Sequence, residues 1–178
     1  YCREEHVYKR YHNLLKDQTH FEEKLETLKQ EILDSGEQIE HYWWPEVNSK
    51  QNFEIVRTLY YPFHDDIVVA KHMRYHPLFR HKHDFYEMIY VIDGSCTNNI
   101  GGCSLRMQTG NVCIIPPGLP HSVGVFDESI IANILIKKSS LKGLLAVFLS
   151  KQSVMSDFFN RTAEGFSGSE YLIFRGEN

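Results

Sequence analysis

The 178-residue chain predicts a mainly β domain, a sheet rolled into a jelly-roll barrel, with helices at both ends. Three observations carry this. Between residues 53 and 136, short runs rich in β-branched and aromatic residues alternate with turn signals, as in a sandwich or closed barrel. Residues 4–35 and 139–150 have helical periodicity instead. The composition, 42% hydrophobic and 24% charged, suits one globular domain with a real core plus an extra segment.

From the amino end, residues 4–35 read as one long helix. Val7, Tyr11, Leu14, Gln18, Phe21, Leu25, Leu28 and Ile32 step by alternating fours and threes, the apolar seam of a coiled coil with one polar break at Gln18. Asp34, Ser35 and Gly36 provide a stop. The seam packs either on the rest of its own chain or on a second copy. Trp43 and Trp44, before Pro45, read as core or interdomain packing, with a lid over the barrel as the alternative.

Next come "FEIVRTLY", "DIVVAKHM", "FYEMIYVI", "SCTNNI", "CSLRM", "VCIIP", "HSVGVF" and "SIIANILI", each a strand by residue type. Asp93-Gly94, Gly101-Gly102, Thr109-Gly110-Asn111 and Pro116-Pro117-Gly118 supply the turns between them. "SSLKGLLAVFLS", 139–150, returns to helix, capped by Ser139 or Ser140, with Leu141, Leu144, Leu145 and Phe148 on one face. A second short helix is expected around 153–160, and "EYLIFR", 170–175, reads as a last strand.

Composition narrows the function classes. Net charge is −4, so no excess of Lys or Arg points to nucleic-acid binding by this chain as it stands. No apolar run reaches the roughly 18 residues of a membrane span, and no signal-peptide pattern opens the chain. A cytoplasmic location is therefore expected. The cysteines, Cys2, Cys96, Cys103 and Cys113, lack zinc-knuckle spacing and read as free thiols; a Cys96–Cys103 disulfide across the Gly-Gly turn is the alternative. The chain begins at Tyr1 rather than Met, so it reads as a piece of a longer protein. Ten histidines, ten tyrosines and 13% aromatic residues hint at a polar-lined pocket with aromatic walls.

The candidate site begins in "HKHDFYEMIYVIDG", 81–94. Read as one strand, His81, His83 and Glu87 share a parity with Phe85, Ile89 and Val91, and so share a buried face. Buried imidazoles and a carboxylate need partners, or they cost several kcal/mol each, on the order of the buried polar penalty. Downstream, "GNVCIIPPGLPH" bends the chain at Pro116, Pro117 and Gly118 and delivers His121, expected to point inward from the facing strand. Three imidazoles and one carboxylate suit a divalent transition ion with positions left open for water or ligand. Otherwise the four hydrogen-bond one another or hold an organic effector.

The spacing His81-x-His83-x3-Glu87-x6-Gly94, followed by Gly110-x5-Pro116-x-Gly118-x2-His121, resembles the paired motifs of the cupin superfamily over about residues 75–127. Val125 stands where that family's second motif ends in Asn. The phrase "FRHKHDFYEMIYVIDGSCTNNIGGCSLRMQTGNVCIIPPGLPHSV" further resembles the N-terminal sensor cupin of AraC-type bacterial transcription regulators. The resemblance implies a double-stranded β-helix barrel at 41–137, after an N-terminal helical segment at 1–40. A helical dimerisation and linker region follows at 138–178. It also implies a homodimer that binds a small-molecule effector. DNA would be met only through a C-terminal domain outside this chain, and no membrane partner is expected.

By parity and resemblance the expected ligand-binding residues are His81, His83, Phe85, Glu87 and His121, with Tyr75 as an aromatic neighbour. His81, His83, Glu87 and His121 are the expected metal ligands, for Zn, Ni, Mn or Fe. Two other functions compete with the sensor. One is a cupin metalloenzyme, dioxygenase- or isomerase-like, on the same three histidines and glutamate; the other is a pure dimerisation domain with a vestigial pocket.

Overall fold

A computed structural model of the chain describes residues 3–39, 42, 57–59, 64–145, 153–163, 168 and 170–176. Trp43, Trp44, Cys2 and residues 146–150 of the expected helix lie outside these. Among the described residues, ten strands form two five-stranded sheets that enclose the core.

One sheet has the order β1-β3-β8-β5-β6, from β1 (Arg57–Leu59), β3 (His81–His83), β8 (His121–Gly124), β5 (Ser95–Ile100) and β6 (Cys103–Gln108). The other runs β10-β7-β4-β9-β2, from β10 (Leu172–Phe174), β7 (Val112–Ile115), β4 (Tyr86–Asp93), β9 (Ile130–Ile136) and β2 (Ile67–Lys71). β1 and β3 run parallel, and the other pairs are antiparallel. Alternate residues of both sheets turn inward. Ile89, Val91, Cys96, Ile100, Met107, Cys113, Ile115, Val123 and Ile131 form one buried cluster.

The turns follow their residues. Ile100 pairs with Cys103 across Gly101 and Gly102, whose φ values of 59° and 80° suit the two-residue hairpin that glycine permits. That register sets Cys96 opposite Met107 rather than Cys103. Cys96, Cys103 and Cys113 are free, so the Cys96–Cys103 disulfide is not formed.

The N-terminal seam does not make one helix. α1 (Arg3–Lys16) and α2 (Phe21–Asp34) fold back on each other, with the reversal at Asp17–His20 and His20 left-handed at φ 54°. The seam closes on its own chain: Val7, Tyr8, Tyr11, Phe21, Leu25, Leu28 and Ile32 bury one another together with Tyr42 and Tyr75. α2 stops where expected, at Ser35 and at Gly36 with φ 82°.

The hairpin is pinned to the barrel by charge. The buried Glu5 carboxylate accepts hydrogen bonds from Lys71 Nζ at 2.7 Å, Arg74 Nη2 at 2.8 Å and the Arg74 backbone N–H at 3.1 Å. Glu128, in the β8–β9 loop, accepts from Arg74, Lys9 and the Tyr75 hydroxyl. At the other end, α3 (Lys138–Leu145) and α4 (Val154–Ala163) approach the outer face of the second sheet. There Leu141, Phe158 and Phe159 pack on Tyr86 and Ile114, and the Tyr86 and Thr162 hydroxyls bond at 2.8 Å. α4 starts from a reciprocal cap: Ser153 N–H donates to Ser156 Oγ at 2.8 Å, and Ser156 N–H to Ser153 Oγ at 3.1 Å.

Candidate functional site

His81, His83 and Glu87 do not share one strand. The chain breaks pairing at Asp84 and Phe85, so β3 carries both histidines in one sheet while β4 carries Glu87 in the other. The parity expectation reaches the right face by a different route. His121 is the register partner of His81 on the adjacent strand β8, and it is Glu87 that comes from the facing sheet.

The loop chemistry fixes the rings. A backbone carbonyl can only accept, so each histidine whose Nδ1 meets one must donate there. Nδ1 lies 2.6 Å from the Phe85 carbonyl in His83, 3.0 Å from that of Leu119 in His121 and 3.3 Å from that of Phe79 in His81. The Pro116–Gly118 bend is tied to β3 by the Gly118 N–H, which donates to the His83 carbonyl at 2.8 Å. In each ring Nε2 is then the nitrogen left to meet something in the hollow.

Two of these nitrogens converge on one carboxylate oxygen. His121 Nε2 lies 3.0 Å from Glu87 Oε2, within hydrogen-bond distance, and both groups are buried. His83 Nε2 lies 3.4 Å from the same oxygen but out of line for a hydrogen bond, and is left without a partner. Burial pushes the Glu87 carboxyl up, yet the imidazoles of His121 and His83 together outweigh it and hold the group well below the usual carboxylate range. Burial, then the neighbouring His121, push His81 down to about 4, so its ring is neutral near pH 7.

His81, Glu87 and His121 each offer a ligand atom within 4.8 Å of the others, so this group could hold a metal ion. The donor set fits one. The rings are oriented by second hydrogen bonds, as metal-ligating imidazoles are, and the orphaned His83 Nε2 is a buried lone pair beside a carboxylate, a place for a cation. Phe85 stacks on His83 with ring centroids 4.3 Å apart and planes at 12°. It serves as a wall behind that ring.

Beside this cluster is a cavity of about 190 Å³ lined by Lys71, His72, Met73, His76, Phe79, His81, Val123 and Asn133. His81 thus belongs to both the cluster and the cavity. Phe79 stacks on His81 at 4.6 Å and meets His76 edge-on at 5.4 Å. The Asn133 amide donates to His72 Nδ1 at 3.0 Å. Burial lowers His72, and lowers His76 to about 4, so the cavity is walled by neutral imidazoles. The sequence reading missed His72, His76 and Asn133. They come from the end of β2, the loop after it and β9, and no local spacing joins them; the strand parity of Asn133 was the one available signal. Tyr75 points elsewhere, into the core of the helical hairpin.

Residues 67–133 match the family model of the AraC-like ligand binding domain. That matched stretch contains β2 to β8, all four motif residues and every residue named above for the cavity wall. No curated protein matches the chain. Solved structures to which the chain is similar include an RmlC-like cupin from Shewanella frigidimarina, at 18% identity and TM-score 0.37, covering 42% of this chain and 68% of that one. An ethanolamine utilization protein, EutQ, from Salmonella typhimurium gives 15% and 0.35, covering 40% of this chain and 58% of its own. The polyketide cyclase RemF from Streptomyces resistomycificus gives 21% and 0.33, covering 40% and 55%. The chain therefore spans little more than half the length of the last two.

Proposed function

We propose that the chain is the effector-sensing and dimerisation domain of an AraC-type transcription regulator. It takes a small molecule in the cavity and a divalent ion on His81, His83, Glu87 and His121. The observation that carries the reading is the joint arrangement at His81: a cluster of oriented imidazoles around one buried carboxylate adjoins a cavity that shares His81 as wall. The match of residues 67–133 to the AraC-like ligand binding domain supports it.

The ion set, three nitrogens and one carboxylate, favours Zn, Ni, Mn or Fe over calcium. Such an ion would supply positive charge and open coordination positions at the cavity wall. This chain's residues do the rest: Phe79 and Val123 exclude water, and His76, His81 and Asn133 set the polarity a ligand meets. A ligand biases the domain only by its difference in affinity between two states. The helices α1 and α2 and the C-terminal pair α3 and α4 pass that bias to a DNA-binding region elsewhere in the full protein, in the cytoplasm.

Elemental analysis of untagged protein, with calorimetry against metals and small metabolites, tests the reading. One ion per chain, lost in His81→Ala, and saturable binding of a small molecule are expected; absence of both overturns it. A metalloenzyme draws on the same adjacency of the ligand cluster and the cavity, where a held ion acts as Lewis acid. Turnover of a substrate by iron- or manganese-loaded protein decides for that alternative.

A further inference from the structure

Charge is scarce in the lining of the cavity. Lys71 is its one cation among the described residues, and that ammonium is bound at 2.7 Å to the buried Glu5 carboxylate. An anionic guest therefore finds no uncommitted positive charge to replace the hydration it gives up. A cationic guest fares no better, because the burial that keeps His72 and His76 neutral acts on any positive charge placed beside them. Uncharged guests remain.

The polar lining asks such a guest for a donor. The ligand nitrogen of His81 belongs to the cluster with Glu87 and His121. His76 Nδ1 donates to the Pro77 carbonyl at 2.8 Å, and His72 Nδ1 receives the Asn133 amide at 3.0 Å. These bonds are met inside the chain. Asn133 Oδ1 is the exception: it is buried and has no partner. A carbonyl oxygen can only accept, and an unmet buried acceptor is a standing cost that an N–H or O–H brought to this wall relieves. One such oxygen calls for one donor, while Met73, Phe79 and Val123 make the rest of the lining apolar. A cavity of roughly 150 Å³ admits benzene. At about 190 Å³ this one has room for such a ring with a small substituent.

We propose that the cavity selects an uncharged, ring-sized molecule with a single N–H or O–H donor, and that Asn133 Oδ1 reads that donor. This rests on the reading above that the cavity takes a small molecule, and names its class.

Calorimetry of the chelator-treated chain with phenol, toluene, benzoate and benzylamine tests it; chelation keeps a metal from recruiting the benzoate. The four rings differ in donor and charge. Phenol is expected to bind about three- to tenfold more tightly than toluene, the worth of one hydrogen bond. Benzoate and protonated benzylamine are expected to bind at least roughly tenfold more weakly than phenol. In Asn133→Leu the preference for phenol over toluene is expected to vanish while toluene still binds, which a merely disturbed fold would not produce. Should that variant not fold, the ranking of the four rings in the parent chain decides. A charged ring that binds as well as phenol, or a phenol preference that survives Asn133→Leu, overturns the class and leaves the cavity a small-molecule site. Binding of none of the four also overturns the class, and the calorimetry against metabolites then decides the sensing function separately.

Discussion

Glu87 reaches across the barrel to the rings of the opposite sheet, so removing its partner should be costly. In His121→Ala the carboxylate stays buried with its hydrogen bond gone. We expect a loss of about 3–5 kcal/mol, the range for breaking a buried pair, read as a lower urea midpoint. Gly94 is a second sensitive position. At φ +77°, a Cβ there would lie 2.1 Å from Ser129 Oγ, the atom that accepts the Ser95 N–H. Gly94→Ala should cost about 2 kcal/mol or more, part from the left-handed backbone and part from the clash, again checked by urea unfolding. At this scale the motif spacing made His81, His83, Glu87, Gly94 and His121 legible, because local chain geometry dictates each. His72, His76 and Asn133 were not, because their proximity exists only after three separate elements have packed.

The strands were legible because each short run had its own residue types and its own glycine or proline punctuation. The break between β3 and β4 was hidden. "HKHDFYEMIYVI" keeps its alternation straight through Asp84 and Phe85, and period two cannot register a change of sheet. The amino-terminal helices were misjudged for a related reason. An apolar seam looks the same whether it faces a second chain or doubles back on itself, and only the polar run Asp17–His20 marked the reversal. The docking of that hairpin makes a pH prediction. Burial opposes the Glu5 charge, but its bonds to Arg74 and Lys71 outweigh this and bring the carboxyl from 4.5 down to about 2. A depressed carboxyl contributes stability that is fully present above about 4.5 and is lost as pH falls towards 2. Glu5→Gln should therefore be destabilised by roughly 3 kcal/mol at pH 7. Its deficit against the parent should shrink between pH 4 and 2, measured by urea titration at each pH.

For the molecule as a whole, ligands should appear as stability. An ion or effector bound only by the folded chain adds about 2.7 kcal/mol at a hundredfold excess over its Kd, and raises Tm accordingly. A metal-dependent rise in Tm should appear in the parent, reverse with chelator and be absent in His81→Ala, followed by calorimetry. The fold class was readable at this scale because strand count, turn spacing and paired motifs agreed. The packing of the N-terminal seam was not, because such a stripe suits its own chain and a second copy alike, and here it is consumed inside the hairpin.

The segment from Lys71 to His76 serves two masters. Lys71, His72, Met73 and His76 wall the cavity, while Lys71 and Arg74 hold Glu5, and the Tyr8 ring rests 4.8 Å from that of His76. Whatever tightens this short stretch from one side must be felt on the other by an equal factor. Loosening α1 at Tyr8 would then alter the grip on a guest it never touches, and a guest would slow the amide exchange of a helix that lies outside its chamber.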